Sequence, residues 1–579
     1  MRTTLLKYRL RIQRLFHFSP SHSMLLWAVV VGFLGALATI LFRECILGLQ
    51  LLLTGESGSF VTIAKSLSWH WRVVLPTLGG VIAGVILLLA KRVPAAATSD
   101  YMEAVTIGDG NIPVRHSLLR SLSSLATIVS GGSIGREGSM VQLAALAASL
   151  VGRITYFEPS RLRLLVACGA AAGITSAYNA PIAGAFFVTE IVLGAIVMES
   201  FGPVVVASVV ANITMRALPG YKPAYEMPAF PDIAGGEIAL FVVLGILAGI
   251  AAPQFLRLLH FSKRQFQKTG LPLPLRLGLG GLLVGLMSVW VPEVWGNGYS
   301  VVNSLLHTSW LWWSIVLILI AKVVATAVTT GSGAVGGIFT PTLFVGAAIG
   351  LLFGAVVHVI FPNASSPPFA YAIVGMGAFL AAATSAPLMA ILMIFEMTLN
   401  YQVMLPLMLS CVVAYFIARS LNGGSMYDIT LKRNRDVQER MRLRGIHMCD
   451  LIRPADTVLP MDAPFNEISR LFLKYPVKYI YIVDDDNHYC GVVALQDITS
   501  VLLDKGETEN RVAADFVRRE FLHVITPEMS LGNALQLFLD HQGERLPIVR
   551  SLAEPVLLGA IFKSALLEAY FQLDNVKLA

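Results

Sequence analysis

The chain has 579 residues, of which 55% are hydrophobic and only 14% charged, and its formal net charge is +7. A mean hydropathy of +0.69 excludes a water-soluble globule as the whole molecule and predicts a polytopic membrane protein. The positive charge is read as a basic band beside the membrane rather than as a nucleic-acid surface.

In chain order, residues 1–22 form a basic N-terminal segment with Arg2, Lys7, Arg9, Arg11 and Arg14, which the positive-inside rule places in the cytoplasm. The apolar stretch 24–53 is too long for a signal-peptide core and lacks a small-residue cleavage site, so it belongs to the mature structure. Further apolar stretches lie near 73–91, 116–130, 139–156, 163–176, 182–216, 237–258, 275–292, 310–330, 342–361, 368–380, 387–398 and 403–421. Several are shorter than the roughly 20 residues that cross a hydrocarbon core, which predicts tilted, re-entrant or half-spanning helices. The membrane part is expected over 23–430, in halves of about 24–217 and 237–430. A linker at 431–448 carries the basic stretch Lys432–Arg444, which also places the C-terminus in the cytoplasm.

Two duplications suggest why there are two halves. Pro181-Ile-Ala-Gly-Ala-Phe-Phe-Val-Thr-Glu190 and Pro387-Leu-Met-Ala-Ile-Leu-Met-Ile-Phe-Glu396 each open on proline and close on glutamate. Ahead of them stand Ser130-Gly-Gly-Ser-Ile-Gly-Arg-Glu137-Gly138 and Gly331-Ser-Gly-Ala-Val-Gly-Gly-Ile338-Phe339-Thr-Pro341, glycine-rich segments that run into apolar sequence. Duplicated halves with broken apolar helices are the pattern of transport proteins that bind solute near the bilayer midplane. A glycine segment that opens a helix turns backbone N–H groups and the positive end of the helix dipole toward an anion, which makes Arg136 and Gly138 expected anion-binding residues. Glu137, between Arg136 and Gly138, would compete with that anion and act as a gate; the alternative is a loop glutamate salt-bridged to Arg136. The second segment repeats the cradle without a fixed charge, or serves as a small-residue packing surface.

Gly-Arg-Glu-Gly (135–138), Asn-Ala-Pro-Ile-Ala-Gly (179–184) and Gly-Gly-Ile-Phe-x-Pro (336–341), in this order, resemble the CLC family of chloride channels and proton-coupled chloride transporters over about residues 25–430. The resemblance implies an α-helical membrane domain of inverted repeats and broken helices. It also implies a homodimer with one anion pathway per subunit, chloride as the transported ion and no required cofactor. It makes Glu137 the gate, Ile338 and Phe339 the residues whose amides line the central anion site, and Tyr427 the tyrosine closing that site, although an ordinary interfacial tyrosine is the other reading. Two departures stand out. Anchored on Ile112-Pro113, Gly110 occupies the place of an anion-coordinating serine and is expected at the anion site without that hydroxyl, and neighbouring Asp109 is expected to face away or cap a helix. The proton-transfer glutamate of the family's exchangers falls on Ile191, which leaves Glu190 or water as substitutes on a proton path.

After Tyr427 the pattern becomes amphipathic helix alternating with short β-branched strand, the mark of a soluble α/β region. Residues 449–505 and 512–572 repeat one order, ending in Gly491-Val-Val-Ala and Gly559-Ala-Ile-Phe strands that feed helices. This resembles a tandem pair of CBS domains. That family's ribose-binding hydroxyl is absent, Asp497 is kept, and the second copy keeps neither group, so the pair either binds an adenine nucleotide at Asp497 or is purely structural or dimerising. The five cysteines show no metal-ligand spacing, and no catalytic motif marks the membrane part, so the chain is not read as an enzyme. The leading expectation is an inner-membrane anion conductor gated by Glu137, with cytoplasmic CBS domains that tune it. A proton-coupled antiporter on the same scaffold is the alternative, and a non-transporting membrane sensor the second alternative.

Overall fold

The computed structural model describes residues 20–92, 100–106, 108–218, 225–231, 235–362, 365–421, 424–427, 448–503, 511–519, 524–529, 531–539 and 543–568. Both basic segments and nearly all of the 431–448 linker lie outside them. The chain divides into two units, Met1–Leu431 and Lys432–Ala579.

Among its described residues the first unit is built of helices. Its first half contains α1 (Pro20–Thr54), α2 (Phe60–Ser66), α3 (Trp69–Arg92), α4 (Tyr101–Thr106), α5 (Val114–Val129), α6 (Glu137–Ile154), α7 (Pro159–Tyr178), α8 (Pro181–Phe186) with a wider π turn over Phe187–Leu193, and α9 (Met198–Arg216). The second contains α10 (Ile238–Lys268), α11 (Leu273–Trp290), α12 (Tyr299–His307), α13 (Trp312–Gly331), α14 (Phe339–Ile360), α15 (Pro368–Thr384), α16 (Pro387–Thr398) and α17 (Met404–Ser420). Among the described residues, eight helices are long and apolar enough to cross a membrane, while Pro181–Leu193, Pro368–Thr384 and Pro387–Thr398 are apolar but shorter. The fold is therefore the expected polytopic one with broken helices.

The expected apolar stretch 182–216 is not one helix. Gly194, at φ +71°, reverses the chain after the π turn, and α9 starts afresh at Met198. Three short helices, α2, α4 and α12, lack the length for an apolar signal of their own.

The halves correspond element by element around the glycine segments. α5 and α13 both end in a serine whose N–H bonds back into the helix (Ser130 to Ala126, Ser332 to Val328), followed by a left-handed glycine, Gly131 at φ +97° and Gly333 at +101°. A side chain at either would strain the turn that redirects the chain. The core is lined mostly by small residues on α7 and α15, where a run such as Ala381, Ala382 and Ala383 is buried and lets helix backbones approach closely.

The second unit begins its described part at residue 448. Strands β1 (Val458–Pro460), β2 (Tyr479–Val483) and β3 (Tyr489–Ala494) form one sheet, β1 parallel and β3 antiparallel to β2, with α18 (Phe465–Lys474) and α19 (Leu495–Leu503). A second copy carries α20 (Leu531–Leu539) and the antiparallel pair β4 (Arg545–Val549) and β5 (Leu557–Phe562). The copies exchange edges: Arg453, ahead of β1, bridges Ala560 of β5, and Arg518, ahead of α20, bridges Val492 of β3.

Candidate functional site

The two glycine segments meet. Gly135 N–H donates to the Gly337 carbonyl at 2.7 Å and Gly337 N–H to the Gly135 carbonyl at 2.8 Å, a single antiparallel bridge between equivalent positions of the two halves. Equivalent residues that bond each other reciprocally are related by a local two-fold axis. The bridge sets the first turns of α6 and α14 side by side, so two positive helix ends converge. Two of the amides that the sequence offered to an anion thus bond each other, and the loop residues further on, Arg136, Gly138, Ile338 and Phe339, stand where the helices begin.

Glu137 is the first residue of α6 and is 2% exposed. Its Oε1 accepts from Tyr299 Oη at 2.9 Å, the first residue of α12, and from Thr340 Oγ1 in the first turn of α14. Tyr178 Oη lies 2.9 Å from Thr340 Oγ1, and Tyr225 stacks edge-on to Tyr299 with centroids 4.7 Å apart. Oε2 is buried without a hydrogen-bond partner among the described residues. A Cβ on Gly135 would come within 2.0 Å of it and within 2.8 Å of the Gly337 carbonyl, so a side chain there would crowd both the carboxylate and the facing backbone. The Arg136 guanidinium lies over the Tyr299 ring, 5.3 Å from its centroid, and the carboxylate is held by hydroxyls. This replaces the reading of Glu137 as a loop glutamate paired with Arg136.

The Pro…Glu duplications also meet reciprocally. Glu190, in the π turn after α8, accepts from Leu388 N at 3.3 Å and Met389 N at 2.8 Å, at the start of α16. Glu396, near the end of α16, accepts from Ile182 N at 2.9 Å and Ala183 N at 2.8 Å, at the start of α8. Each glutamate caps the other half's proline-led helix, where free amides and the helix dipole favour a carboxylate. As a proton-path candidate Glu190 is thus already engaged, and Ile191 beside it is 1% exposed.

The remaining expectations divide. Gly110 takes a left-handed turn at φ +82°, its N–H donates to the Ala104 carbonyl at 3.0 Å and its carbonyl accepts from Ser149 Oγ at 2.8 Å. With its amide engaged and no side chain, it has no donor left for an anion, which corrects its assignment as an anion ligand. Asp109 turns to Asn111, accepting from its backbone N–H at 3.1 Å and its side-chain amide at 2.6 Å; these bonds hold its carboxyl below the usual range, as a local cap should. Tyr427 is half-buried against Phe187 at 5.8 Å, its backbone fastened to the end of α15 through Ser425 Oγ and, one residue earlier, Met426 N to Ala383 O. In the second unit Asp497 accepts a two-pronged bond from Arg518, Nε at 2.7 Å and Nη2 at 2.5 Å. The acid expected to hold a ribose is therefore held by an arginine, because the exchanged edge brings Arg518 to it.

Tyr178, Tyr225 and Tyr299 are site residues the sequence reading missed, and so is Thr340. Thr340 lies inside the Gly-Gly-Ile-Phe-Thr-Pro motif and was within reach of it; nothing in the spacing links Tyr299 to Glu137, 162 positions away.

The profile of the voltage gated chloride channel family matches residues 79–419, and a CBS domain profile matches 449–504. A ClcB-like protein of Ralstonia nicotianae is 54% identical over 418 residues, covering 71% of this chain and 97% of that protein. The voltage-gated ClC-type chloride channel ClcB of Escherichia coli (strain K12 / DH10B) is 42% identical over 411 residues, covering 70% and 97%. Among solved structures, a slow cyanobacterial Cl-/H+ antiporter is 26% identical with a TM-score of 0.64, covering 72% of this chain and 98% of that one.

Proposed function

Because the chain belongs to the CLC family of chloride channels and transporters, a multi-pass membrane family, we propose that it conducts chloride passively along a pathway gated by Glu137. In the closed state the Glu137 carboxylate lies between the converging starts of α6 and α14, held by Tyr299 and Thr340. Hydroxyl donors turn about a single bond, so the carboxylate is released without unwinding a helix. An anion then takes its place against the helix starts, with the amides of Ile338 and Phe339 as donors and Tyr427 at the far end. Binding by dipoles rather than by a fixed cation keeps the anion weakly held, as conduction requires.

The observation that carries the passive reading is the pair at 190–191. Ile191 is apolar and buried, and Glu190 is tied to the amides of Leu388 and Met389, which leaves the first half no free carboxylate at this position. Anion flux with simultaneous proton recording, in liposomes carrying the purified protein, tests it. Chloride movement without uphill proton movement supports passive conduction, and proton uptake driven by a chloride gradient overturns it. Proton-coupled exchange is the second reading, favoured by the connected hydroxyls of Tyr178, Thr340 and Tyr299 beside Glu137, which could hand on a proton, and by the likeness to a Cl-/H+ antiporter. No flux of either ion would favour the membrane-sensor reading.

The reading includes a homodimer in the inner membrane with both termini cytoplasmic. It also includes tuning by the CBS region; an adenine nucleotide that used Asp497 there would have to displace Arg518.

A further inference from the structure

Lys322, midway along α13, is fully buried. Its three N–H donors meet three backbone carbonyls: Nζ lies 2.6 Å from Gly296 O, 2.9 Å from Val294 O and 3.5 Å from Trp295 O. Burying an ammonium costs free energy unless acceptors converge on it, and here the acceptors are all main-chain atoms of one short connection between α11 and α12. That connection is bent sharply, with Gly296 at φ +68° and Gly298 at +98°. It also lies against the first half's glycine segment, where a Cβ on Gly131 would come within 2.5 Å of the Trp295 ring. The next residue is Tyr299, whose Oη bonds Glu137.

We infer that Lys322 is a positioning residue for the gate: it clamps the carbonyls of residues 294–296 and thereby sets Tyr299 against the Glu137 carboxylate. This rests on the reading of Glu137 as the gate. Lys322 touches neither Glu137 nor the conducted anion in this arrangement; it acts through the three-residue reach from its carbonyls to Tyr299. Loosening the clamp removes one donor from the closed carboxylate and shifts the gate toward open.

The test is chloride efflux from liposomes holding the full chain, with Lys322→Met, Lys322→Arg, Tyr299→Phe and Glu137→Ala, and Lys322→Met combined with each of the last two. Lys322→Met should raise efflux about tenfold, the factor expected when a two-state gate loses one hydrogen bond to a charged group. Lys322→Arg, which keeps N–H donors at the clamp, should bring efflux back toward wild type. In the Tyr299→Phe and Glu137→Ala backgrounds Lys322→Met should change nothing further, because the contact it serves is already gone. An equal change in the Glu137→Ala background means that the charge acts on the anion itself and overturns the inference. If Lys322→Met is not recovered folded, Lys322→Gln, which keeps fewer donors on a shorter stem, takes its place in the same backgrounds: it should raise efflux in the wild-type chain and change nothing without Glu137, and no rise in the wild-type chain overturns the inference. Should Glu137→Ala leave efflux at the wild-type level, the gate reading itself fails, an outcome distinct from a Lys322 effect that persists in a Glu137→Ala protein already opened.

Discussion

Glu137 and the pair Glu190 and Glu396 are carboxylates of the same membrane unit, yet their donors differ in kind. Glu190 and Glu396 are each held by two backbone amides at a helix start, donors fixed in the covalent frame of the helix. Glu137 is held by two side-chain hydroxyls on a single oxygen, and its other oxygen has no partner among the described residues. A carboxylate that turns away from amides leaves two donors fixed in the helix frame unpaired; one that turns away from hydroxyls leaves donors that can rotate to other acceptors. On the proposed reading of Glu137 as the gate, the donor type, rather than the glutamate or its burial, separates a gate from a fastening.

The largest effect expected from this contrast is that of Glu137→Ala. Removing a group held closed by two hydroxyls, each worth about tenfold, should raise chloride flux roughly a hundredfold in liposomes. Next, Tyr299→Phe and Thr340→Val should each raise flux by about tenfold, and a null result in both would break the claim that hydroxyls hold the gate. Glu396→Ala should instead act on stability: two helix-start amides lose their acceptor, at about 1–3 kcal/mol, read as a lower melting temperature in detergent. If Glu396→Ala raised flux as Glu137→Ala does, the distinction between gate and fastening would collapse.

The smallest effect tests the rule outside the membrane unit. Asp484 is a carboxylate held by the His488 backbone N–H at 2.7 Å, with a second bond from the Asp486 N–H, and its pKa is held below the usual carboxylate value chiefly by His488. A lowered folded-state pKa contributes stability above the ordinary carboxylate range and loses it as pH falls through the lowered value, below about pH 4. The acid-side drop in melting temperature of the full chain should therefore be slightly shallower in Asp484→Asn, by a degree or less. A drop unchanged in the variant would show that this amide-bound carboxylate adds nothing.

The duplications, the helix starts and Glu137 were legible because they are local. Proline and glycine punctuate the chain, apolar runs measure helix length, and the motif around 135–138 lies within a few residues. The second unit's strands were legible for the same reason, through β-branched alternation at 479–483 and 545–549. Less was legible where a residue's role depends on what another part of the chain brings to it. Gly110 fitted a serine's place by motif alignment, but its amide was already bonded to Ala104, three-dimensional information that no alignment of letters carries. Asp497 kept its identity and met Arg518 because the two copies exchange edges.

The amino-acid sequence by itself determined that the chain spans a membrane in two related halves, that some of its helices are broken, and which acid follows the glycine segment; these depend on hydropathy, backbone freedom and residue order over short distances. Only the tertiary structure decided that Glu190 and Glu396 each cap the opposite half, that Gly135 and Gly337 bridge, that Tyr299 and Thr340 converge on Glu137, and that Lys322 bonds the carbonyls just ahead of Tyr299. Those contacts join residues about 160 to 215 positions apart, or depend on backbone amides and carbonyls that every residue shares, so no side-chain pattern along the chain could mark them.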